Sequence, residues 1–395
     1  MKFSPNQKLV VATVYVCGMI LNSLDSTIVN VALATLAREF KVLPSSIDTV
    51  VTAYLVSLAV FIPVSGWLGD RWGTKRTFLL ALGLFTGASA LCGMAQSIDQ
   101  LVAFRILQGA GGGLLTPVGM AMLYRTFPPA ERVNVSRILM FATILGPALG
   151  PVIGGFLIEH ASWRWIFYVN LPVGLGALIF GFLFLHEHKE SGAGRFDLPG
   201  FMLAAIGFGS FMFAIGRGPV KGWLRPEVIG FGLVGALALT AFVIVERRVS
   251  SPMVHLHLLS NRLFRSSLEV SFFTSSAFMG TLFLMPLFLQ EARGVSPLES
   301  GLTTFPEALG VMISTQIVAR LYPHIGPRRL MSGGLLFVAV VIASMATIDR
   351  DTSLWIVRAQ MFLLGFGIAY VFLPNQVASM ATITSAQTGR ASTLS

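Results

Sequence analysis

Residues 47–97 read IDTVVTAYLVSLAVFIPVSGWLGDRWGTKRTFLLALGLFTGASALCGMAQS. Two apolar blocks, 47–69 and 77–97, flank a short loop that holds most of the charge in this stretch. A bilayer core of about 30 Å is crossed by about 20 helical residues, at about 1.5 Å of rise each. Each block reaches that length, so the stretch predicts two membrane-spanning helices joined at one face of the membrane.

The same pattern of apolar blocks and short polar loops extends over the whole chain. Of its 395 residues, 54% are hydrophobic and 12% are charged, whereas a soluble domain usually carries about 25% charged residues. Backbone groups in lipid must be hydrogen-bonded within the protein, so the blocks are predicted to be helices. The predicted fold class is an all-α polytopic membrane protein with twelve spans, at 9–33, 47–69, 77–97, 100–124, 135–159, 163–185, 197–216, 226–245, 266–290, 300–321, 329–348 and 354–380.

The net charge of +10 does not indicate a nucleic-acid partner, because the Lys and Arg residues lie in short loops between apolar blocks. Basic residues in such loops mark the cytoplasmic side of a membrane protein. Most of them fall on the side that holds the N-terminus, and an even number of spans brings the other end to the same side. We expect a multi-pass protein of the bacterial inner (plasma) membrane with both ends of this chain cytoplasmic.

The sequence contains neither a nucleophile elbow nor a metal-protease motif. Cys17 and Cys92 lie inside apolar blocks, which favours buried small hydrophobic residues over a disulfide or a metal site. The chain has no GxxxxGK[ST] loop that would bind the phosphates of ATP. We therefore expect no enzyme activity, no metal and no cofactor.

Charged side chains at membrane depth are costly and usually functional. Asp25 follows Lys8 by 17 residues, roughly 25 Å along the first helix, and Arg105 lies five residues, roughly 8 Å, into the fourth span. Both fall in the same half of the membrane, where a shared aqueous cavity would let them interact and bind protons. A structural ion pair with no proton-coupling role is the alternative. Glu307, eight residues into its span, is the next candidate proton-coupling residue.

A run of glycines and prolines, GPALGPVIGG at 146–155, forms a second candidate site. Three of its glycines recur every fourth residue and share one helix face, where small residues let a neighbouring backbone approach closely. Two prolines remove helical hydrogen-bond donors and favour a bend. The run predicts a bent helix suited to packing where two halves of the molecule move, and its candidate residues are Gly146, Pro147, Gly150, Pro151, Gly154 and Gly155.

The loop after the second span, GWLGDRWGTKR at 66–76, is the third candidate site. Gly66 and Gly73 permit tight backbone turns. Asp70 lies near a helix C-terminus, where the helix dipole disfavours an anion. We expect a compensating partner, such as Arg71, Arg76 or the N-terminus of a facing helix. A charge pair that differs between conformations would act as a conformational lock; the alternative is a basic loop that only sets topology.

The loop motif recurs in degraded form as ARLYPHIGPRR at 319–329, again between two apolar blocks. Repeated halves are typical of membrane transporters. The sequence predicts a six-helix bundle at 1–185, a linker with two extra transmembrane helices at 186–250, and a second bundle at 251–395 with four of six helices present.

With these motifs the chain resembles the major facilitator superfamily, and within it the fourteen-span drug:proton antiporters of the EmrB/QacA type. The matching stretches are LDSTIVNVAL at 24–33, the loop at 66–76, RILQGAGG at 105–112, the glycine-proline run at 146–155 and WRWIFYVNLP at 163–172. The two extra spans between the bundles also fit that branch.

The resemblance implies two pseudo-symmetric bundles around a central cavity, which export drugs or other amphipathic small molecules by proton antiport through alternating access. It implies that Asp25 and Arg105 lie in the proton-coupling region. It also implies that Asp70 locks against the thirteenth span. Because only twelve of fourteen spans are counted in the sequence, we expect a C-terminally incomplete chain that lacks this span and the next. The implied partners are a small-molecule substrate, protons, the lipid bilayer and a periplasmic adaptor protein. We expect the protein itself to be a monomer.

Two alternatives stay open at this point. The same fold could be a dedicated exporter of one metabolite or an uptake carrier, which a substrate panel would distinguish by a response to a single chemotype. The missing spans also leave open a truncated membrane protein that does not transport.

Overall fold

The computed structural model describes residues 6–42, 44–128, 131, 135, 138, 146, 149–150, 152–189, 196–249, 252, 254–381, 383 and 391. These residues are mainly helical, and no strand occurs among them. The helices of the first bundle are α1 (Gln7–Glu39), α2 (Pro44–Trp72), α3 (Thr74–Met94), α4 (Ile98–Thr126), α5 (residues 152–160), α6 (Trp165–Tyr168) and α7 (Asn170–Phe184). The remaining helices are α8 (Leu198–Lys221), α9 (Pro226–Glu246), α10 (Arg262–Leu287), α11 (Pro297–Thr304), α12 (Pro306–Ile325), α13 (Pro327–Met345) and α14 (Leu354–Ser379).

Within the described ranges, ten helical segments are long and apolar enough to cross a membrane. The predicted all-α membrane fold is confirmed, but two of the twelve predicted spans are not among the ten. The span at 135–159 lies partly outside the described residues, and its longest described stretch is 152–159. The span at 300–321 is divided into α11 and α12 at Phe305, because Pro306 has no N–H to continue the helical hydrogen bonds.

Helix α4 is the most enclosed of the ten candidate spans. In an apolar segment of 18 residues within it, 83% of the residues are buried. Its glycines bring it against two neighbours. A Cβ atom on Gly109 or Gly113 would lie 2.5 Å from a carbonyl oxygen of α2, that of Tyr54 or Leu58. A Cβ on Gly111 would lie 2.6 Å from a backbone nitrogen of α3. The glycines therefore allow α4 to pack backbone to backbone between α2 and α3.

The glycines of the 146–155 run face α1. A Cβ on Gly146 would lie 2.5 Å from the Leu24 nitrogen, and one on Gly154 would lie 2.8 Å from Ile28 Cγ1. Gly150, between them, faces Thr27 of the same helix. This glycine face therefore packs on α1, the helix that carries Asp25.

The remaining candidate residues of the run are Gly155, Pro147 and Pro151. A Cβ on Gly155 would meet nothing within 4 Å, so this glycine is not part of the face that contacts α1. Pro147 and Pro151 lie outside the described residues, and the expected bend lies there with them.

The two extra helices, α8 and α9, pack on each other, and α8 also packs on α2. Aromatic pairs join the beginning of α8 to the end of α2. The Phe61 and Phe201 rings are 5.9 Å apart, and Trp67 lies 4.9 Å from the ring of Phe196 just before α8.

In the C-terminal part, α12 and α14 pack closely where glycines face a backbone. A Cβ on Gly310 would collide with α14 at Phe362, and one on Gly365 would collide with the backbone of Glu307. The two bundles meet where Gln376 Nε2 of α14 donates a 3.4 Å hydrogen bond to the Tyr124 hydroxyl of α4. The domain limits at 185/186 and 250/251 stay a prediction.

Candidate functional site

A buried charged cluster joins α1 to α4. Asp25 is completely buried and Arg105 is 1% exposed. Arg105 Nη1 donates to Asp25 Oδ2 at 2.5 Å and to Gln108 Oε1 at 2.8 Å, and Gln108 Nε2 donates to Asp25 Oδ1 at 2.8 Å. Both carboxylate oxygens thus have a donor, as a buried charge requires.

Helix geometry and small residues explain this arrangement. Arg105 and Gln108 are three residues apart on α4 and therefore share a face, so one carboxylate can reach both. Gly109 and Gly112 lie just beyond them, and a Cβ on Gly112 would lie 2.8 Å from Asn22 Oδ1 of α1. Asp25 and Arg105 are therefore in direct contact, and the expected water-filled cavity does not lie between them.

Aromatic rings enclose the guanidinium group. The carbon of the Arg105 guanidinium lies 4.1 Å from the centre of the Tyr54 ring and 6.0 Å from that of Phe167. Arg105 Nε also donates to the Val50 carbonyl oxygen at 3.4 Å. Cation–π contact and a carbonyl acceptor hold the cation where water does not reach it.

A short polar chain continues from the cluster. The Tyr54 hydroxyl donates to Asn22 Oδ1, and Asn22 Nδ2 donates to Thr116 Oγ1 at 3.2 Å. Asn22 precedes Asp25 by three residues on α1, so the two lie on adjacent turns of the same face. Hydroxyl and amide groups of this kind can rearrange when the charge on a neighbouring carboxylate changes.

Glu307 lies apart from this cluster, in the first turn of α12. Its side chain is 3% exposed, and Oε1 has no hydrogen-bond partner among the described residues. No hydrogen bond or ion pair within the described part of the chain joins it to Asp25 or Arg105. The structure therefore brings two of the three predicted proton-coupling residues together and leaves the third as a separate buried carboxyl group.

The partner of Asp70 differs from those expected. Asp70 Oδ1 accepts a 3.2 Å hydrogen bond from Arg125 Nη2 near the end of α4. Arg71 is exposed, and Arg76 pairs instead with Glu187. The expectation of Arg71 or Arg76 as partner was wrong, because helix packing brings the end of α4 beside the end of α2.

Gly66 and Gly73, which were both expected to permit turns, differ in backbone structure. Gly73 has a φ of +96°, so it makes the turn between α2 and α3 that was expected of it. Gly66 lies inside α2, one turn before Asp70, so the expected turn at Gly66 was wrong. Gly66 instead borders a small space shared with Asp70 and Arg125.

The carboxylate of Glu187 caps the N-terminus of α3. It accepts hydrogen bonds from the backbone N–H of Lys75 at 2.9 Å and of Arg76 at 3.2 Å. A Cβ on Gly73 would occupy the space that this carboxylate fills. Backbone N–H groups at a helix N-terminus favour such an anion, so the segment after α7 is fixed against the loop.

Several residues of these sites were missed by sequence reasoning. Gln108 and Asn22 lie one turn from Arg105 and Asp25, and a search for polar residues at helical spacing would have found both. Arg125 and Glu187 meet their partners across 55 and 111 residues of chain. No local pattern in the sequence marks those contacts.

With this geometry established, comparison with known proteins gives the family. The family profile described as "Major Facilitator Superfamily" matches residues 15–395. The chain belongs to the major facilitator superfamily. It is 32% identical over 387 residues to the "Multidrug resistance protein B homolog" of Mycobacterium tuberculosis (strain CDC 1551 / Oshkosh), covering 97% of this chain and 72% of that relative.

A second relative and a solved structure are also similar to this chain. The "Putative multidrug resistance protein MdtD" of Pectobacterium atrosepticum is 33% identical over 349 residues, which cover 88% of this chain and 74% of that protein. The crystal structure of the human organic anion transporter MFSD10 superposes with a TM-score of 0.68 at 18% identity, over 99% of this chain and 90% of that one. That likeness shows the fold alone.

Membership of the superfamily makes this chain a multi-pass membrane transporter rather than an enzyme. Among the described residues, no group of three or more His, Cys, Asp or Glu side chains could hold a metal ion. The charged cluster pairs a buried carboxylate with a buried guanidinium group.

Proposed function

We propose that this chain exports amphipathic or cationic small molecules in exchange for protons, through alternating access. The observation that carries the proposal is the buried cluster of Asp25, Arg105 and Gln108 at the contact of α1 with α4. The relatives named multidrug resistance proteins support the substrate class. We also propose that the protein is of the fourteen-span EmrB/QacA type, a monomer with both ends of this chain cytoplasmic, and that an adaptor protein assists it.

Proton binding is coupled to helix movement by the charge balance of the cluster. A proton on Asp25 cancels the carboxylate charge and leaves Arg105 as a buried cation without a counter-charge. Such a cation costs several kcal/mol, so α4 must shift to give Arg105 water or another partner. Loss of the proton restores the ion pair and draws α4 back to α1.

Helix α4 links this change to the other bundle. It carries Arg105 in its first half and Tyr124 near its end, where Tyr124 contacts Gln376 of α14. A shift of α4 against α1 therefore alters the contact between the bundles. This is the connection that alternating access requires between a proton site and the closure of one side.

Asp70 and Arg125 act in this proposal as the conformational lock. Their ion pair joins the ends of α2 and α4 on the same side of the molecule as Tyr124. We assign the neighbouring Gly66 and Arg71 of α2, Gly73 of the turn and Arg76 of α3 to the same lock. The buried carboxyl of Glu307 serves as a second proton site, in the other bundle.

Reconstituted vesicles with a trapped pH dye test the proposed exchange. Addition of ethidium or another amphipathic cation should release protons from wild-type vesicles, and Asp25→Asn should abolish that release. Glu227→Gln, which removes an exposed carboxylate of α9, is the control and should behave as wild type. Unchanged proton release by Asp25→Asn would overturn the coupling role, and a response to a single metabolite would identify a dedicated carrier.

A further inference from the structure

A cavity of about 390 Å³ opens between α2, α4 and the extra helix α8. Its walls come from residues 49–61 of α2, from Val102 and Ile106 of α4, and from one face of α8. The volume is within the range of about 300–1,000 Å³ that is typical of ligand pockets. It therefore has room for part of an organic molecule.

The cavity extends along α2 and α8. Towards the beginning of α8, the contacts of Phe201 with Phe61 and of Phe196 with Trp67 close it. Further along α8, Gly209 and Gly216 line the cavity. A Cβ on Gly216 would lie 3.9 Å from Thr52 Oγ1, at ordinary contact distance, so Gly216 faces α2.

The chemistry of the lining changes along the cavity. Most of it is apolar, with hydroxyl groups from Thr49, Thr52 and Ser57. Arg217, near the end of α8, lines the same cavity, and its guanidinium carbon lies 5.7 Å from the centre of the Phe213 ring. The end of a membrane-spanning helix lies at the level of the lipid headgroups, where a basic side chain meets phosphate.

We propose that this cavity, the lateral slot, binds one acyl chain of an anionic glycerophospholipid, whose phosphodiester group is held by Arg217. An apolar slot with a cation at one end complements a molecule with an alkyl tail and an anionic head. A guanidinium group is well suited to phosphate oxygens because it offers several donors in one plane. Cationic substrates are disfavoured at the same position by charge repulsion.

The bound lipid contacts the helices that hold the charged cluster. Ser57 of the slot donates a 2.6 Å hydrogen bond to the carbonyl oxygen of Ile106, which is adjacent to Arg105. Residues 49–61 also include Tyr54, which stacks on Arg105. An acyl chain in the slot therefore supports the α2–α4 contact from its outer side. The binding itself does not depend on the proposed function.

Native mass spectrometry of the purified chain tests this assignment. The protein is equilibrated with equal amounts of phosphatidylglycerol and phosphatidylcholine that carry the same acyl chains. Both lipids carry a phosphodiester group, but only phosphatidylglycerol has a net negative charge, because the ammonium group of choline cancels that of phosphatidylcholine. Wild type should therefore retain the anionic lipid about fivefold more than the zwitterionic one, as expected for one basic residue beside an anionic headgroup. Arg217→Gln should reduce this preference to about equal retention, while Arg225→Gln, a loss of the same charge outside the slot, should keep it.

A second pair of variants tests the slot itself. Gly216→Leu fills the cavity and should lower retention of both lipids, whereas Gly230→Leu adds the same side chain on an open face of α9 and should not. Ala53→Leu fills the slot from α2 and serves if Gly216→Leu fails to fold. Equal behaviour within either matched pair would overturn the proposal. Displacement of the retained lipid by ethidium would also overturn it, because the slot would then belong to the substrate.

Discussion

At the scale of single residues, the central feature is that two side chains of α4 donate hydrogen bonds to the Asp25 carboxylate. Asp25 receives a charged donor on one oxygen and an amide donor on the other, from Arg105 and Gln108. Buried pairs of this kind add little stability compared with an apolar pair, but removal of one partner is strongly destabilising. The pair therefore has the sensitivity to charge that a proton switch needs.

Loss of the cation alone should destabilise the protein more than loss of both charges. Arg105→Gln leaves the Asp25 carboxylate buried without its cation, which should lower the free energy of unfolding by about 3–5 kcal/mol. The double variant Asp25→Asn/Arg105→Gln should recover most of that loss. Detergent-titration unfolding of the purified variants measures it, and losses that simply add would show that the two charges do not depend on each other.

At the scale of elements, the position of α4 depends on its glycines. Gly113→Ala places a Cβ 2.5 Å from the Leu58 carbonyl oxygen, so α2 and α4 must separate. We expect a loss of about 1–3 kcal/mol in unfolding free energy, as for other overpacked sites. The matched control is Gly87→Ala in α3, where a Cβ meets nothing within 4 Å.

The control should be neutral or stabilised by up to about 1 kcal/mol, because alanine is the better helix former. Thermal unfolding of both variants measures the difference. Equal midpoints for Gly113→Ala and Gly87→Ala would contradict the close backbone packing of α4 on α2.

The ion pair between Asp70 and Arg125 links the ends of α2 and α4. Asp70→Asn and Arg125→Gln should each slow transport, because each breaks the 3.2 Å ion pair. The double variant should be no slower than Arg125→Gln alone, since the interaction is already lost. Initial rates of substrate efflux from vesicles measure this, and independent, additive effects would show that the two residues act separately.

At the scale of the whole molecule, the sequence predicted the fold class well because membrane spans have a strong signal in length and composition. The residues 24–172 carried the motifs that identified the family. The division of 300–321 at Pro306 was missed, because the apolar block continues across the proline. The pairing of Asp25 with Arg105 was anticipated from helix depth, but Arg125 as the partner of Asp70 was not, since it depends on how two helix ends meet in space.

The most direct test of proton coupling compares accumulation with exchange in vesicles of one orientation. An imposed gradient of one pH unit supports about tenfold accumulation of a substrate exchanged for one proton, since a tenfold ratio corresponds to about 1.4 kcal/mol. Exchange of labelled for unlabelled substrate needs no gradient. Asp25→Asn should lose accumulation and retain only slow exchange, because Arg105 stays without its counter-charge and α4 is not drawn back to α1. Accumulation by Asp25→Asn equal to that of wild type would contradict a proton-coupling role for the Asp25–Arg105 cluster.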